Sequence, residues 1–179
     1  VVVDEAYFGF GAETAVPLIA DHDNLIVTRS LSKSHALAGM RVGYAIAQPD
    51  LIEGLIRVKD SFNSYPLDAV AQAAAAAAIQ DTQWLENASQ EVREVREVMS
   101  AGLRTIGFEV LPSQANFIFT EHQSLAGKQI FDALRARDIL VRRWDKDRIE
   151  NWLRISVGTM AQAEQLLAVM KEIVSTETG

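Results

Sequence analysis

Residues Thr28–Tyr44 read T-R-S-L-S-K-S-H-A-L-A-G-M-R-V-G-Y. The stretch starts at the end of an apolar, strand-like run, Asn24–Arg29, and leads into a second run, Val42–Ala47. It holds several hydroxyl side chains, one lysine and, eight residues later, one arginine. Hydroxyl groups and an arginine near the end of a strand can hold a phosphate, because they offer neutral donors beside a bidentate cation. Taken alone, the stretch favours an ordinary serine-rich loop that carries a solvated lysine.

Strand-like and helical segments alternate around this stretch. The apolar run Val1–Val3 predicts a buried strand, and prolines that suit a first helical turn open predicted helices over Pro49–Lys59 and Pro66–Gln80. Strands separated by crossovers favour a parallel sheet that is covered on both faces. Because the chain supplies few neighbours for a buried strand at residue 1, we expect preceding sequence to supply other strands of this sheet.

The second half predicts a small α+β domain with its own apolar residues. A long amphipathic helix is expected over Thr82–Ile106, a second over Ala126–Arg137, and a third begins where Thr159 and Gln162 form a capping box. The predicted strands are Phe108–Leu111, Ala115–Phe119, Ile139–Arg143 and Trp152–Val157. We therefore predict an α/β domain over residues 1–82 and an α+β domain over residues 83–179.

The composition excludes several classes of protein. The 179 residues carry 17 basic and 24 acidic side chains, a net charge of −7, which disfavours nucleic acid as a partner. No apolar run reaches the length of about 18 residues that a membrane-spanning helix needs, so no membrane partner is expected. The absence of cysteine excludes disulfides and cysteine nucleophiles and fits a cytoplasmic location, and the three histidines show no metal-ligand spacing.

A second group of polar residues follows the first predicted strand, in the stretch Val3–Tyr7 (V-D-E-A-Y). An acid directly after a buried strand lies where ligand sites form, at the carboxyl ends of parallel strands. Asp4 is also compatible with capping a following turn, and Tyr7 with a place in the core.

Taken together, D-x-A-Y, S-x-S-K and an arginine eight residues after the lysine resemble the pyridoxal-phosphate aminotransferases of the aspartate-aminotransferase-like fold. Residues 31–44 and N-W-L-R-I-S-V-G-T at 151–159 more closely resemble the histidinol-phosphate aminotransferases, with softer matches at 115–119 (A-N-F-I-F) and 139–144 (I-L-V-R-R-W). The resemblance covers the whole chain as the C-terminal half of such an enzyme. It implies the end of a large, mostly parallel cofactor-binding domain, followed by a small α+β domain.

The resemblance implies a role for each residue around pyridoxal 5'-phosphate. Lys33 would carry the cofactor as a Schiff base and move the proton at the substrate Cα. Asp4 would pair with the protonated ring nitrogen, and Tyr7 would hydrogen-bond the phenolic oxygen. The cofactor phosphate would be held by Ser30, Ser32 and Arg41.

Three further residues are implied to bind substrate. Arg154 lies where apolar and polar residues alternate, so its side chain should point away from the apolar set. It would bind the α-carboxylate of glutamate or the phosphate end of an amino-alcohol phosphate, although a solvated strand arginine fits the same pattern. Arg142 resembles the arginine that meets the substrate phosphate, and Arg143 should point to the opposite face. Asn116 lies near the substrate or ties down a strand end.

The implied reaction belongs to histidine biosynthesis. It is a ping-pong transfer of the amino group of L-histidinol phosphate to 2-oxoglutarate, giving imidazole acetol phosphate and glutamate in a homodimeric full-length enzyme. Two alternatives stay open: an aromatic or general amino-acid aminotransferase or threonine-phosphate decarboxylase-like enzyme, and a non-catalytic sensing module. In the family the N-terminal half and the partner subunit supply other active-site groups, so this chain alone is expected to be inactive.

Overall fold

The chain forms two compact units, residues 1–89 and 90–179, in a computed structural model that describes residues 1–63 and 65–178. The observed division falls inside a long helix, whereas the sequence predicts a boundary between residues 82 and 83. Ser64 and Gly179 belong to the two predicted domains but lie outside the described residues. The assignment of the units to a large cofactor-binding domain and a small domain stays a prediction.

A three-stranded sheet forms the centre of the first unit, in the order β1-β2-β3. Its strands are β1 (Val2–Asp4), β2 (Ile26–Ser30) and β3 (Gly43–Ala47). β1 and β2 are parallel, with Asp4 opposite Thr28. β2 and β3 are antiparallel, with Ser30 opposite Gly43.

Two features of this sheet differ from the sequence prediction. β3 runs antiparallel to β2 because only a single short helix, α1 (Leu31–Ser34), and a 3-10 turn, Ala38–Met40, connect them, whereas a parallel pair needs a longer crossover. The predicted burial of Val1–Val3 is wrong for its first two residues, since Val1 and Val2 are 77% and 64% exposed. Val2 lies on β1 and Val1 directly precedes it, and β1 pairs only with β2 among the described strands.

The later helices of the first unit are α2 (Pro49–Phe62), α3 (Ala69–Gln80) and the start of α4 (Thr82–Thr105). Of these, α3 supplies buried residues to one of the unit's two small apolar clusters. Asp68 caps α3 by accepting a hydrogen bond from the Ala71 N–H at 2.8 Å. The buried residues of the clusters are Leu31, Val42, Ala71 and Ala75 in one and Ile19, Leu25 and Val27 in the other.

The second unit is an antiparallel sheet in the order β4-β5-β7-β6, with helices against one face. Its elements after α4 are β4 (Phe108–Val110), β5 (Phe117–His122), α5 (Gly127–Arg135), β6 (Arg142–Arg143), β7 (Leu153–Ser156) and α6 (Met160–Thr178). One continuous core joins α4, α5 and α6 to the sheet. Every strand and helix predicted from the sequence is present, with ends shifted by a few residues.

Strand alternation sorts the residues of this sheet between two faces. Ile118 of β5 and Leu153 and Ile155 of β7 are buried on the helix-covered face, whereas Phe119 and Arg154 alternate with them and are half-buried. The second face therefore carries aromatic and cationic side chains.

Among the described helices of the whole chain, none combines the length and the apolar character needed to cross a bilayer.

Candidate functional site

The ends of the strands in the first unit bring four of the predicted residues to one edge of the sheet. β1 and β2 are parallel, so their carboxyl ends, after Asp4 and at Ser30, lie at the same edge. Lys33 follows within α1. Because β3 is antiparallel, its amino end, which Arg41 precedes by two residues, lies at this edge too. We call this the carboxyl edge.

Lys33 is presented at the carboxyl edge by the short helix α1. Ser30 caps the helix, since its Oγ accepts a hydrogen bond from the Ser32 N–H at 3.1 Å. The Lys33 side chain is exposed, and its Nζ lies 5.7 Å from the centre of the Tyr7 ring. It makes no ion pair within residues 1–63 and 65–178, so its amine is available for chemistry.

Asp4 is the last residue of β1, and Tyr7 lies in the turn that follows. The Asp4 Oδ1 accepts a hydrogen bond from the Ala6 N–H at 2.9 Å, so the turn-capping alternative is confirmed. Its Oδ2 makes no hydrogen bond within the described part of the chain and can accept one from a ligand. The Phe8 N–H donates to the Glu5 carbonyl at 2.9 Å, which places half-buried Tyr7 third in a four-residue turn.

Arg41 supplies the guanidinium at this edge. Its backbone is left-handed, with φ 56°, an uncommon conformation for a residue with a side chain. One nitrogen, Nη1, donates to the Ala38 carbonyl at 3.0 Å, and the exposed guanidinium keeps further N–H groups. Together with the Ser30 and Ser32 hydroxyls, it provides the neutral and charged donors that a phosphate monoester needs.

A buried histidine lies next to these residues. His35 stacks on Trp84, with ring centres 6.4 Å apart, and its Nδ1 lies 2.9 Å from the Ser34 Oγ. Burial lowers the pKa of His35, which favours the neutral ring. Packing against Trp84 and the contact with Ser34 favour a structural role for His35.

Sequence reasoning missed a buried ion pair behind the Tyr7 turn. The Arg29 Nε donates to the Glu5 Oε2 at 2.9 Å, and the Thr14 hydroxyl and Ala15 N–H also donate to the Glu5 carboxylate. Burial alone would raise the pKa of Glu5, but these donors and the Arg29 charge hold that pKa below its usual range. The sequence carries no local signal for this pair, because 24 residues separate its members.

In the second unit, two of the predicted substrate residues face each other across neighbouring strands. Arg142 of β6 pairs with Arg154 of β7, which places both on the face away from the core. Neither guanidinium forms an ion pair with a described residue. Arg143 pairs instead with buried Leu153, and its Nε donates to the Glu150 carbonyl at 2.6 Å. The predicted orientation of Arg154 and the opposite placement of Arg143 are confirmed.

Trp144 joins the two arginines and was not singled out from the sequence. The Arg142 and Arg154 Cζ atoms lie 5.4 Å and 5.5 Å from the centre of its ring, and Arg154 is also 5.3 Å from the Phe117 ring. Its position two residues after Arg142 is a signal that could have been used, because strand alternation places residues i and i+2 on one face. We call Arg142, Trp144 and Arg154 the arginine pair and its indole.

Asn116 directly precedes β5. Its carbonyl accepts a hydrogen bond from the Val157 N–H at 2.9 Å, beyond the end of β7, so the residue does tie down a strand end. Its half-buried side chain makes no hydrogen bond with a described residue.

All six predicted cofactor residues lie in the first unit, and the three predicted substrate residues lie in the second. No group of three or more potential metal ligands occurs within the described parts of the chain.

Comparisons with known proteins identify relatives over almost the whole chain. The family model for aminotransferase class I and II matches residues 1–170. Histidinol-phosphate aminotransferase 1 of Bradyrhizobium diazoefficiens is 54% identical over 174 residues, which are 97% of this chain and 50% of the relative. Histidinol-phosphate aminotransferase of Acetobacter pasteurianus is 50% identical over 178 residues, with 99% and 50% coverage. The chain thus spans about half the length of the curated relatives it matches.

Solved structures agree with these sequence relatives. The crystal structure of histidinol-phosphate aminotransferase from Sinorhizobium meliloti in complex with pyridoxal-5'-phosphate matches with a TM-score of 0.84 at 27% identity. The match covers 98% of this chain and 48% of that one. The α/β fold class predicted from the sequence, as part of an aminotransferase fold, is therefore confirmed.

Proposed function

The chain belongs to the class I and II aminotransferase family, and from this premise we propose that it is half of a histidinol-phosphate aminotransferase. The whole enzyme would transfer the amino group of L-histidinol phosphate to 2-oxoglutarate, with imidazole acetol phosphate and glutamate as products. The observation that carries the proposal is the convergence of Asp4, Lys33 and Arg41 on the carboxyl edge of the first sheet. The alternatives within the superfamily and the sensing module are not favoured by the relatives.

We infer that pyridoxal 5'-phosphate is the cofactor, because the donor set at the carboxyl edge fits its chemistry. Ser30, Ser32 and Arg41 would hold the phosphate, and the free oxygen of Asp4 would accept a hydrogen bond from the ring nitrogen. When bound, the cofactor supplies a cationic ring that absorbs the electrons left at the substrate carbon. The Asp4 carboxylate stabilises the positive charge of that ring.

Lys33 performs the proton transfer in this proposal. In its neutral form the Lys33 amine accepts the proton from the carbon that bears the substrate amino group, and it then returns that proton as a general acid. The Tyr7 hydroxyl orients the cofactor by a hydrogen bond to its phenolic oxygen. The exposed, unpaired state of the Lys33 amine supports this role, since no described carboxylate competes for it.

The arginine pair and its indole would bind the anionic end of the substrate. Two guanidinium groups without ion-pair partners offer up to two bidentate contacts, which suits a phosphate dianion or the carboxylates of 2-oxoglutarate. Asn116 would add a polar contact to the substrate. The full-length enzyme is proposed to act as a homodimer in the cytoplasm, on a small-molecule amino donor and 2-oxoglutarate.

The proposal is tested in the full-length enzyme by trapping the cofactor and profiling donors. Borohydride reduction followed by peptide mass spectrometry should locate a cofactor adduct on Lys33, and the Lys33→Ala variant should carry none and lose activity by about 10⁴-fold or more. Lys171→Ala, which removes an exposed lysine of α6, is the matched control and should behave like the parent protein.

Donor profiling addresses the substrate. Histidinol phosphate should outcompete phenylalanine and threonine phosphate in kcat/KM. A retained adduct in Lys33→Ala, or a higher kcat/KM for phenylalanine, would contradict the proposal.

A further inference from the structure

We propose that Glu5, Thr14, Arg29 and the ring of Phe8 form a clasp that holds Tyr7 in position beside Lys33. The clasp residues act through Tyr7 and are positioning residues for amino transfer. This inference rests on the proposed function, from which the role of Tyr7 is taken. The evidence for the clasp itself comes from contacts within the first unit.

The segment that carries Tyr7 has a sequence with high conformational freedom. It runs from Glu5 to Ala15 without a helix or strand, and Gly9 and Gly11 have positive φ values of 100° and 125°. Glycine has the largest conformational freedom in the unfolded chain, so ordering such a segment carries a high entropic cost. A defined position for Tyr7 therefore requires contacts that hold this segment.

The two ends of the segment are joined by hydrogen bonds to one carboxylate. The Thr14 hydroxyl donates to the Glu5 carboxylate at 2.9 Å and 3.0 Å, and the Ala15 N–H donates to its Oε1 at 2.6 Å. The Thr14 hydroxyl in turn accepts hydrogen bonds from the Arg29 Nη2 at 2.7 Å and the Val16 N–H at 3.2 Å. Thr14 is thus the centre of the network and uses its donor and acceptor capacity fully.

Arg29 connects this closed segment to the strand that leads to Lys33. Its Nε donates to the Glu5 Oε2 at 2.9 Å, and its Cζ lies 3.5 Å from the centre of the Phe8 ring. Arg29 belongs to β2, which ends at Ser30, and α1 with Lys33 follows directly. The segment is therefore anchored to the same strand that presents Lys33.

Tyr7 is held from both sides by these contacts. Glu5 and Phe8 are each bound to Arg29, and the Phe8 N–H closes the four-residue turn onto the Glu5 carbonyl. Only 9% of the Glu5 side chain and 13% of the Arg29 side chain are exposed, so the ion pair is screened little by water. A change in the clasp should therefore move Tyr7 relative to Lys33 rather than relax locally.

The test uses Thr14 variants of the full-length enzyme loaded with pyridoxal phosphate. Thr14→Val keeps the shape but removes the hydroxyl, whereas Thr14→Ser keeps the hydroxyl. In Thr14→Val we expect the pH at which the cofactor's visible absorbance changes to shift, with kcat lower by about tenfold and KM changed by less than about threefold. Thr14→Ser should restore the parent values. Thr105→Val, at the exposed end of α4, should change none of these three quantities.

Hydrogen exchange of the enzyme without cofactor gives a second readout. Amides of residues 5–15 should exchange faster in Thr14→Val and in Arg29→Lys, which keeps the charge but loses the planar guanidinium. The clasp would be overturned if, in both variants, the amides of residues 5–15 exchanged at the parent rate and the pH of the cofactor's absorbance change did not shift. Failure of the proposed function would be recognised separately, because the parent enzyme would then give no borohydride-trapped adduct on Lys33.

Discussion

The carboxyl edge of the first unit and the arginine-bearing face of the second unit are built in different ways. At the carboxyl edge, Asp4 and Ser30 are the last residues of their strands. Tyr7 and Arg41 lie in turns and Lys33 in a four-residue helix, in a unit that has two small apolar clusters. In the second unit, the arginine pair lies on regular antiparallel strands whose other face packs against one continuous core. Turn contacts therefore position the first set, and the pleat of a sheet positions the second.

The difference has a consequence for how each region tolerates change. A residue on a strand keeps its direction as long as the sheet is intact, whereas a residue in a turn depends on a few specific hydrogen bonds. Substitutions near the arginine pair should therefore alter binding without altering geometry. Substitutions around the Tyr7 turn should alter geometry itself.

Among the substitutions that test this comparison, removal of the arginine pair has the largest expected effect. In full-length enzyme, Arg142→Gln combined with Arg154→Gln should lower kcat/KM for histidinol phosphate by about 10²–10⁴-fold, since each charged hydrogen-bond contact contributes about 1.5–3 kcal/mol. The effect should appear mainly in KM, because these side chains would bind the substrate in its ground state as well. Steady-state kinetics with varied histidinol phosphate measure it.

Arg143→Gln is the matched control for this double variant. Arg143 is next to Arg142 in sequence, but its guanidinium contacts the Glu150 carbonyl and the Asp145 carboxylate. Its kcat/KM should stay within about threefold of the parent. An equal loss of kcat/KM in Arg143→Gln and in the double variant would show that the sheet does not place Arg142 and Arg143 on opposite faces.

A second prediction compares the cores of the two units. Leu134 of α5 is fully buried in the continuous core, and Leu25 lies in a small cluster of three buried residues. Leu134→Ala should lower the free energy of unfolding of its unit by about 3–5 kcal/mol, and Leu25→Ala by about 2–3 kcal/mol, because a small cluster next to solvent collapses more readily around a cavity. Hydrogen exchange resolved by residue separates the two units, and a larger loss for Leu25→Ala would reverse the comparison.

Regular structure in this chain was predictable because its signals are local. Hydrophobic periodicity and capping residues predicted every strand and the longer helices, but not the four-residue helix α1. Alternation around Arg154 predicted the side its guanidinium takes. The family resemblance added expectations for Lys33 and Asp4, which their positions at one sheet edge support. The residue roles stay predictions.

The direction of β3 and the clasp could not be predicted, for two physical reasons. Strand direction depends on how the chain crosses between β2 and β3, and the apolar pattern of Val42–Ala47 is the same in either direction. Arg41 nevertheless lies at the carboxyl edge only because β3 is antiparallel. The Glu5–Arg29 ion pair joins residues 24 positions apart, and nothing in the sequence ranks it above other possible ion pairs.

A smaller effect is expected at Trp144, whose ring lies against both guanidinium groups of the arginine pair. Trp144→Leu should raise KM for histidinol phosphate by about 3–30-fold with kcat unchanged, because each cation–π contact is worth about 0.5–1 kcal/mol at a partly exposed site. Trp152→Leu is the control, since Trp152 stacks on Phe119, with ring centres 4.9 Å apart, whereas the described cation–π contacts of the two arginines are to Trp144 and Phe117. Equal effects of the two substitutions would remove the special role of the indole.

The smallest expected effect is a pH dependence of stability that arises in the first unit. Burial holds the pKa of His35 below its ordinary value, so in the folded chain the ring stays neutral at a pH where the unfolded chain binds a proton. The stability that depends on neutral His35 is present above the unfolded pKa of about 6.5 and is lost as pH falls from there through the folded pKa. One proton can contribute a slope of at most about 1.4 kcal/mol per pH unit. Because glutamine can keep the hydrogen bond to Ser34 but does not titrate, His35→Gln should flatten the dependence of the unfolding free energy on pH below about 6.5. An unchanged slope in urea titrations of His35→Gln would assign that pH dependence to carboxylates instead.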